Sequence, residues 1–183
     1  MIVVERLSFD DVSKLSDLKS SSTLNIMLVA ERCFSPFGAV FRVREELLEL
    51  EEPKNIVFKF SKEDLDDIRS RVNSANGFQL IVKDLERIVG FLDLRILNDD
   101  AFIKWFVVDD DYKGEGIEFL LLRRALNYCR FRGVNSVHAE VENVDYDKFD
   151  FYRRLGFRVS GLEGVNEREE FSREFKVHMI LEL

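Results

Sequence analysis

The sequence predicts a mixed α/β fold, and three stretches predict it. Residues 102 to 108, Phe-Ile-Lys-Trp-Phe-Val-Val, are apolar apart from Lys104 and rich in aromatic and β-branched types, as suits a mostly buried strand. After Asp109-Asp110-Asp111 and a turn holding Gly114 and Gly116, Ile117, Leu120, Leu121, Ala125 and Tyr128 recur at helical spacing. Arg123, Asn127 and Arg130 fall on another face, and Gly133 is placed to end that helix. Ser136 to Glu142 then alternates Val137, Ala139 and Val141 against His138, Glu140 and Glu142, the period of a strand with one apolar face. A further helix follows, with Asn143 or Asp145 as its N-cap, Tyr146, Phe149, Phe151, Tyr152 and Leu155 as its apolar residues, and Gly156 to stop it.

The remaining elements follow in order. Met1 to Arg6 reads as a first strand, since it lacks the basic start and long apolar stretch of a signal peptide. Ser8-Phe-Asp-Asp is placed to cap a helix to about Leu18, and Asn25 to Phe34 reads as another helix. Arg44 to Glu52 is acidic and amphipathic and is stopped by Pro53. Ile56 to Phe60 reads as a short strand, and Ser61-Lys-Glu-Asp64 as a capping-box-like start to a helix reaching about Asn73. Phe78 to Val82 and Ile88 to Ile96 form a hairpin around residues 83 to 87. Phe157 to Ser160 is strand-like, a polar turn region runs from Gly161 to Glu169, and a last strand lies around Phe175 to Leu183.

Composition sets the outer limits. A chain of 183 residues with 46% hydrophobic and 12% aromatic content suits a single domain, residues 1–183. It has no Pro/Gly/Ser-rich linker, no internal repeat, and no apolar run near the roughly 20 residues that cross a bilayer. A net charge of −8 argues against nucleic acid and suits attraction of a cationic amine; Arg123-Arg124, Arg130-Phe131-Arg132 and Arg153-Arg154 read as solvated faces. Cys129 reads as a small buried hydrophobe and Cys33 sits in a helix-to-loop region. Few thiols and no export signal point to the cytoplasm. His138 has no partner at zinc-ligand spacing and His178 is distant, so no metal is expected.

The glycine turn carries the first chemical argument. A helix start leaves backbone N–H groups unpaired with positive partial charge, and glycines let main chain approach a ligand closely, so the turn suits a pyrophosphate. Gly114-Glu115-Gly116 also begins like a dinucleotide fingerprint. That rival fails at the third glycine, where Phe119 stands, and the nearest strand-borne acid, Glu140, lies beyond the expected spacing.

Val108 to Gly116, together with Phe151-Tyr152-Arg153-Arg154-Leu155-Gly156-Phe157, resembles the GNAT acyl-CoA N-acyltransferase superfamily over roughly residues 78 to 183. Its pattern is a hydrophobic strand, a Gln/Arg-x-x-Gly-x-Gly/Ala loop and helix, a further strand, then Asn-x-x-Ala-x-x-Phe-Tyr-x-x-Leu-Gly-Phe and a closing hairpin. Against it, Lys113 replaces the usual arginine, Glu118 the last small loop residue, Asp145 the asparagine and Lys148 the alanine; Asn143 is an alternative asparagine. The resemblance implies a largely antiparallel central sheet of six to seven strands flanked by helices, with residues 8–77 as a variable acceptor-side region. It implies acetyl transfer from acetyl-CoA to a primary amine by direct attack; the other reading is a degenerate acyl-CoA-binding or interaction module. Homodimers are common in such a family. Cofactor contacts fall to Phe106, Val107, Val108, Lys113, Gly114, Glu115, Gly116, Ile117, Glu118, Asn143 and Asp145, with oxyanion donors near Phe106 to Val108. Tyr152 takes the role of proton donor to the leaving thiolate. Glu140 is a candidate base, with Glu142, His138, Asp99 and Asp100 as others.

Overall fold

The computed structural model describes residues 1–35, 38–164, 171–172 and 175–183. Ten strands and three α-helices follow in the order β1 (Ile2–Arg6), β2 (Ser20–Ser35), β3 (Gly38–Phe58), α1 (Lys62–Arg71), β4 (Gly77–Asp84), β5 (Arg87–Leu97), β6 (Asp100–Val108), α2 (Ile117–Arg132), β7 (Ser136–Glu142), α3 (Tyr146–Arg154), β8 (Arg158–Glu163), β9 (Phe171–Ser172) and β10 (Lys176–Glu182). Seven strands form one sheet, ordered β1-β4-β5-β6-β7-β10-β8, and three form another, β3-β2-β9. The recorded pairings β1–β4, β4–β5, β5–β6 and β10–β8 are antiparallel, so this is a mixed α/β fold with a mostly antiparallel seven-stranded sheet flanked by helices. Among the described residues no helix is long and apolar enough to cross a membrane.

The chain divides into two compact units. The first comprises Met1–Ser21, Val57–Val137 and Glu182–Leu183; the second comprises Ser22–Ile56 and His138–Leu181.

In the first unit, Leu15, Ile68, Ile81, Phe91 and Val107 belong to one buried cluster, with Phe58, Phe60 and Trp105 packed against it. Ile68 is fully buried, so truncating it to alanine costs about 2–5 kcal/mol. α1 starts where the capping box predicts: Ser61 Oγ accepts from Asp64 N–H and the Asp64 side chain accepts from Ser61 N–H. The expected helix from Ser8 shrinks to a short 3-10 helix, Val12–Asp17, that has no side-chain cap; Ser8 Oγ donates to Asp11 Oδ2 instead. α2 buries Ile117, Leu121, Leu122, Ala125 and Cys129, and Gly133 ends it in the left-handed region. Burial pushes the Cys129 thiol up to about 11, against a small opposing pull from Arg130.

In the second unit the expected helix over Asn25 to Phe34 is instead strand β2, which also carries Cys33. The run Ile26 to Ala30 is apolar at nearly every position, a pattern that suits a strand buried on both faces as well as a helix, and pairing with its neighbours decides the matter. The acidic stretch Arg44 to Glu52 lies within β3. Pro53 does not stop it, because β3 is the outer strand of its sheet and such a strand tolerates a missing N–H. Most of the polar turn expected from Gly161 to Glu169 lies outside the described residues; Gly161 to Glu163 continue β8.

Candidate active site

β6 delivers its last three residues in register with β5, Phe106 opposite Leu92, Val107 opposite Phe91 and Val108 opposite Gly90. A Cβ built on Gly90 would lie 2.8 Å from Ile117 Cγ2 and 3.1 Å from Leu121 Cδ1. Glycine at that point therefore lets the first turn of α2 settle close against the sheet.

The chain leaves β6 through Asp109, which is fully buried. Its carboxylate accepts from Lys19 N–H (3.2 Å), Arg87 Nη2 (2.8 Å) and Asp111 N–H (3.2 Å). Asp110 accepts from Ser21 N–H (2.8 Å) and the Ser21 hydroxyl (2.7 Å), and Lys113 Nζ lies 2.7 Å from its Oδ1 while also donating to the Ser21 carbonyl. Burial alone would raise the Asp110 carboxyl; the Lys113 and Ser21 bonds outweigh it and bring it down to about 2. Tyr112 donates to Asp84 Oδ2 at 3.0 Å and steadies the turn from the other strand pair.

Beyond this anchor the main chain opens. Gly114 and Gly116 have φ of +79° and +82°, and a Cβ on either would meet nothing within 4 Å, so conformation and not crowding calls for glycine. Lys113 and Glu115 close their N–H groups on the carbonyls of Asp110 (3.4 Å) and Tyr112 (3.3 Å). The N–H groups of Gly114, Gly116, Ile117, Glu118 and Phe119 have no partner among the described residues, and no side chain caps α2. The first bond of the helix is Leu120 N–H to the Gly116 carbonyl at 3.0 Å. Unpaired donors at the positive end of a 16-residue helix are an arrangement that suits an anion. Glu118 is half-buried on that first turn and has no ion-pair partner among the described residues.

The second unit holds the other predicted residues. Tyr152 lies on α3, fully buried, and its phenol is pushed up by burial and further by Asp145, so it stays protonated through the physiological range. Its ring packs at 5.0 Å from Phe157 and 5.6 Å from Phe151. Asp145 caps α3, accepting from Lys148 N–H at 3.2 Å. Asn143 does not cap: it is buried, its Nδ2 donates to the Leu28 carbonyl (3.0 Å) and its Oδ1 accepts from Phe175 N–H (3.2 Å). Glu140 is exposed on β7, with His178 Nδ1 at 3.5 Å and Lys176 Nζ at 3.9 Å. His178 Nε2 in turn lies 3.2 Å from Glu163.

The structure thus places Lys113 to Gly116 in one loop that runs into Ile117 and Glu118 at the start of α2, and gives each of Tyr152, Asn143, Asp145 and Glu140 a distinct place. Sequence reasoning missed Lys19, Ser21, Arg87 and the anchoring parts of Asp109 and Asp110. The only signal was an acidic triplet at a strand end. Of the partners missed, Arg87 lies 22 residues away and Lys19 and Ser21 lie 90 and 89, beyond the reach of any local pattern. It also missed the Glu140–His178–Glu163 group, whose members lie on three strands.

A 68-residue stretch, 37% of this chain, is 38% identical to streptothricin acetyltransferase of Streptomyces lavendulae and spans 36% of that protein. A 105-residue stretch, 54% of this chain, is 24% identical to N-acetyltransferase 8B of Homo sapiens and spans 46% of it. Among solved structures, a candidate streptothricin acetyltransferase of Bacillus anthracis str. Ames in complex with acetyl coenzyme A shares the fold at a TM-score of 0.76 and 18% identity, covering 100% of both chains. Nourseothricin acetyltransferase does so at 0.72 and 17%, covering 99% of this chain and 98% of that one. The model of the acetyltransferase (GNAT) family matches residues 43–157, which include β6, the glycine loop, α2 and Tyr152; the chain belongs to that family.

Proposed function

We propose that this protein is an N-acetyltransferase that moves the acetyl group of acetyl-CoA to a primary amine by direct attack, and that its two units act as one domain. The observation that supports the reading is the set of N–H groups of Gly114, Gly116, Ile117, Glu118 and Phe119 without a partner among the described residues, at a helix start of the kind that suits a pyrophosphate. Acetyl-CoA supplies the thioester. The amine nitrogen forms a bond to the carbonyl carbon, the carbon–sulfur bond breaks, and N–H groups of Phe106 to Val108 meet the charge on the carbonyl oxygen. Tyr152, held neutral by burial, gives its proton to the leaving thiolate and is recharged by the second proton that the amine nitrogen sheds as the amide forms. Glu140 takes the ammonium proton, with His178 and Lys176 beside it. Asn143 and Asp145 contribute by holding the start of α3, which carries Tyr152.

A second reading, a module without catalysis, draws on Glu118 and on the pairing of Lys113 with Asp110, which set one negative charge near these N–H groups and occupy their nearest cation. Thermal shift with acetyl-CoA followed by thiol release with a panel of amines, streptothricin included, separates the two. The enzyme reading predicts about 2.7 kcal/mol of added stability at a hundred times the dissociation constant, and amine-dependent thiol. Absence of any shift at millimolar acetyl-CoA contradicts it; a shift without turnover on any amine favours the module.

A further inference from the structure

Resting on the acetyl-CoA reading above, we propose that Asp109 is a positioning residue for the cosubstrate: it touches no phosphate itself, yet it sets the path of the main chain that presents the Gly114 to Phe119 donors. Every polar group of Asp109 is engaged. Its N–H donates to the Val89 carbonyl (2.9 Å) and its own carbonyl accepts from Tyr112 N–H (2.9 Å), which fixes its backbone between β5 and the turn. Its Oδ1 accepts from Asp111 N–H and Arg87, and its Oδ2 from Lys19 N–H, as given above. A carboxylate with no solvent exposure that gathers three donors from separate pieces of chain is costly to lose, since those donors lose the buried acceptor that holds them together.

The arrangement links three separate pieces of chain to the base of the loop: the segment before β2 through Lys19, the start of β5 through Arg87, and the 3-10 turn Asp110–Tyr112 through Asp111. That turn passes directly into Lys113 and Gly114. Gly114 and Gly116 are free to take many backbone conformations, so the loop does not fix its own shape. Something rigid must aim it. Asp109 is the buried group nearest in sequence that is bonded on both oxygens.

The two oxygens make different predictions. Asp109→Ala removes all three bonds and is expected to weaken acetyl-CoA binding about tenfold or more, with kcat at saturation little changed once an acceptor is known. Asp109→Asn keeps an oxygen for Arg87 and Asp111 N–H and gives up the Lys19 bond, so it recovers most of the affinity. Arg87→Leu leaves the carboxylate in place and removes one donor; it is expected to weaken binding about threefold.

The test is calorimetric titration of each variant with acetyl-CoA, well below its own melting temperature. A purely structural role would lower the melting temperature and leave the dissociation constant of the folded protein unmoved. Graded weakening, Ala beyond Asn and Leu, supports the positioning role. Should Asp109→Ala fail to fold, Asp109→Asn and Arg87→Leu carry the test by themselves, and wild-type affinity in both overturns it. If the wild-type protein binds no acetyl-CoA, the functional reading falls and this inference with it. If it binds and every folded variant binds equally, the functional reading stands and only the role of Asp109 is refuted.

Discussion

Among the described residues, two of the three α-helices close their own beginnings and one does not. α1 starts on the reciprocal Ser61–Asp64 bonds, and α3 on the Asp145 carboxylate. α2 is the longest of the three and starts on Gly116, which has no side chain to offer, so its first donors stay unpaired. A side-chain cap adds about 0.5–2 kcal/mol to a helix. The chain secures that stabilisation for helices of 10 and 9 residues and forgoes it for one of 16. An end left open in this way, on a loop that follows buried Asp109, is the feature on which the acetyl-CoA reading rests.

Substitutions that separate the open end from the closed ones test this directly. Tyr152→Phe on capped α3 is expected to lower kcat about a hundredfold while acetyl-CoA affinity holds, in a thiol-release assay beside calorimetry. Unchanged turnover would remove the phenol from the chemistry. Gly116→Val at the open end is expected to do the reverse. A β-branched residue at φ +82° strains the turn by about 1–2 kcal/mol and re-aims its donors, so the dissociation constant should rise about tenfold or more. Ser61→Ala should cost about 1 kcal/mol in denaturant unfolding and leave acetyl-CoA binding as it was, since a closed end serves only its helix. Glu118→Gln removes a negative charge from the first turn of α2 and should tighten binding about threefold, the size of one charge acting near a helix end.

The smallest effect concerns pH. Asp110 and Asp11 are both lowered from 3.8 to about 2. In each case burial pushes upward; Lys113 and Ser21 outweigh it at Asp110, and Ser8, Lys83 and Lys14 at Asp11. A depressed folded pKa means stability that is present above the unfolded value and is lost as pH falls through the folded one. Melting temperature should therefore drop between about pH 4 and pH 2, and Asp110→Asn should flatten part of that slope. An identical slope in the variant would show that the Asp110 bonds contribute nothing measurable.

How much of this was legible in the sequence depends on how far apart the partners are. The hairpin over residues 78 to 96, the strand before the glycine turn, α2, β7 and α3 all carry periodicity or caps within a few residues, and they lie where those signals put them. β2 and β3 do not, because an apolar run without alternation takes its form from whatever pairs with it, and Pro53 reads as a stop only to a helix. The site divides in the same way. That Gly114 and Gly116 form the turn before a helix was readable from the flanking periodicity, and the burial of Tyr152 from the apolar residues around it. Which donors stay open was not readable, nor was the support of Asp109 by Lys19 and Arg87, since both depend on chain that returns from far away in sequence.

The most direct measurement is an amide-detected NMR titration of the protein with acetyl-CoA. Saturable movement of the Gly114, Gly116, Ile117 and Glu118 N–H resonances, with those of Lys62 to Asp64 at the closed start of α1 left in place, is the predicted result. Saturated binding that leaves Gly114 to Glu118 unmoved would show that the anion is held elsewhere.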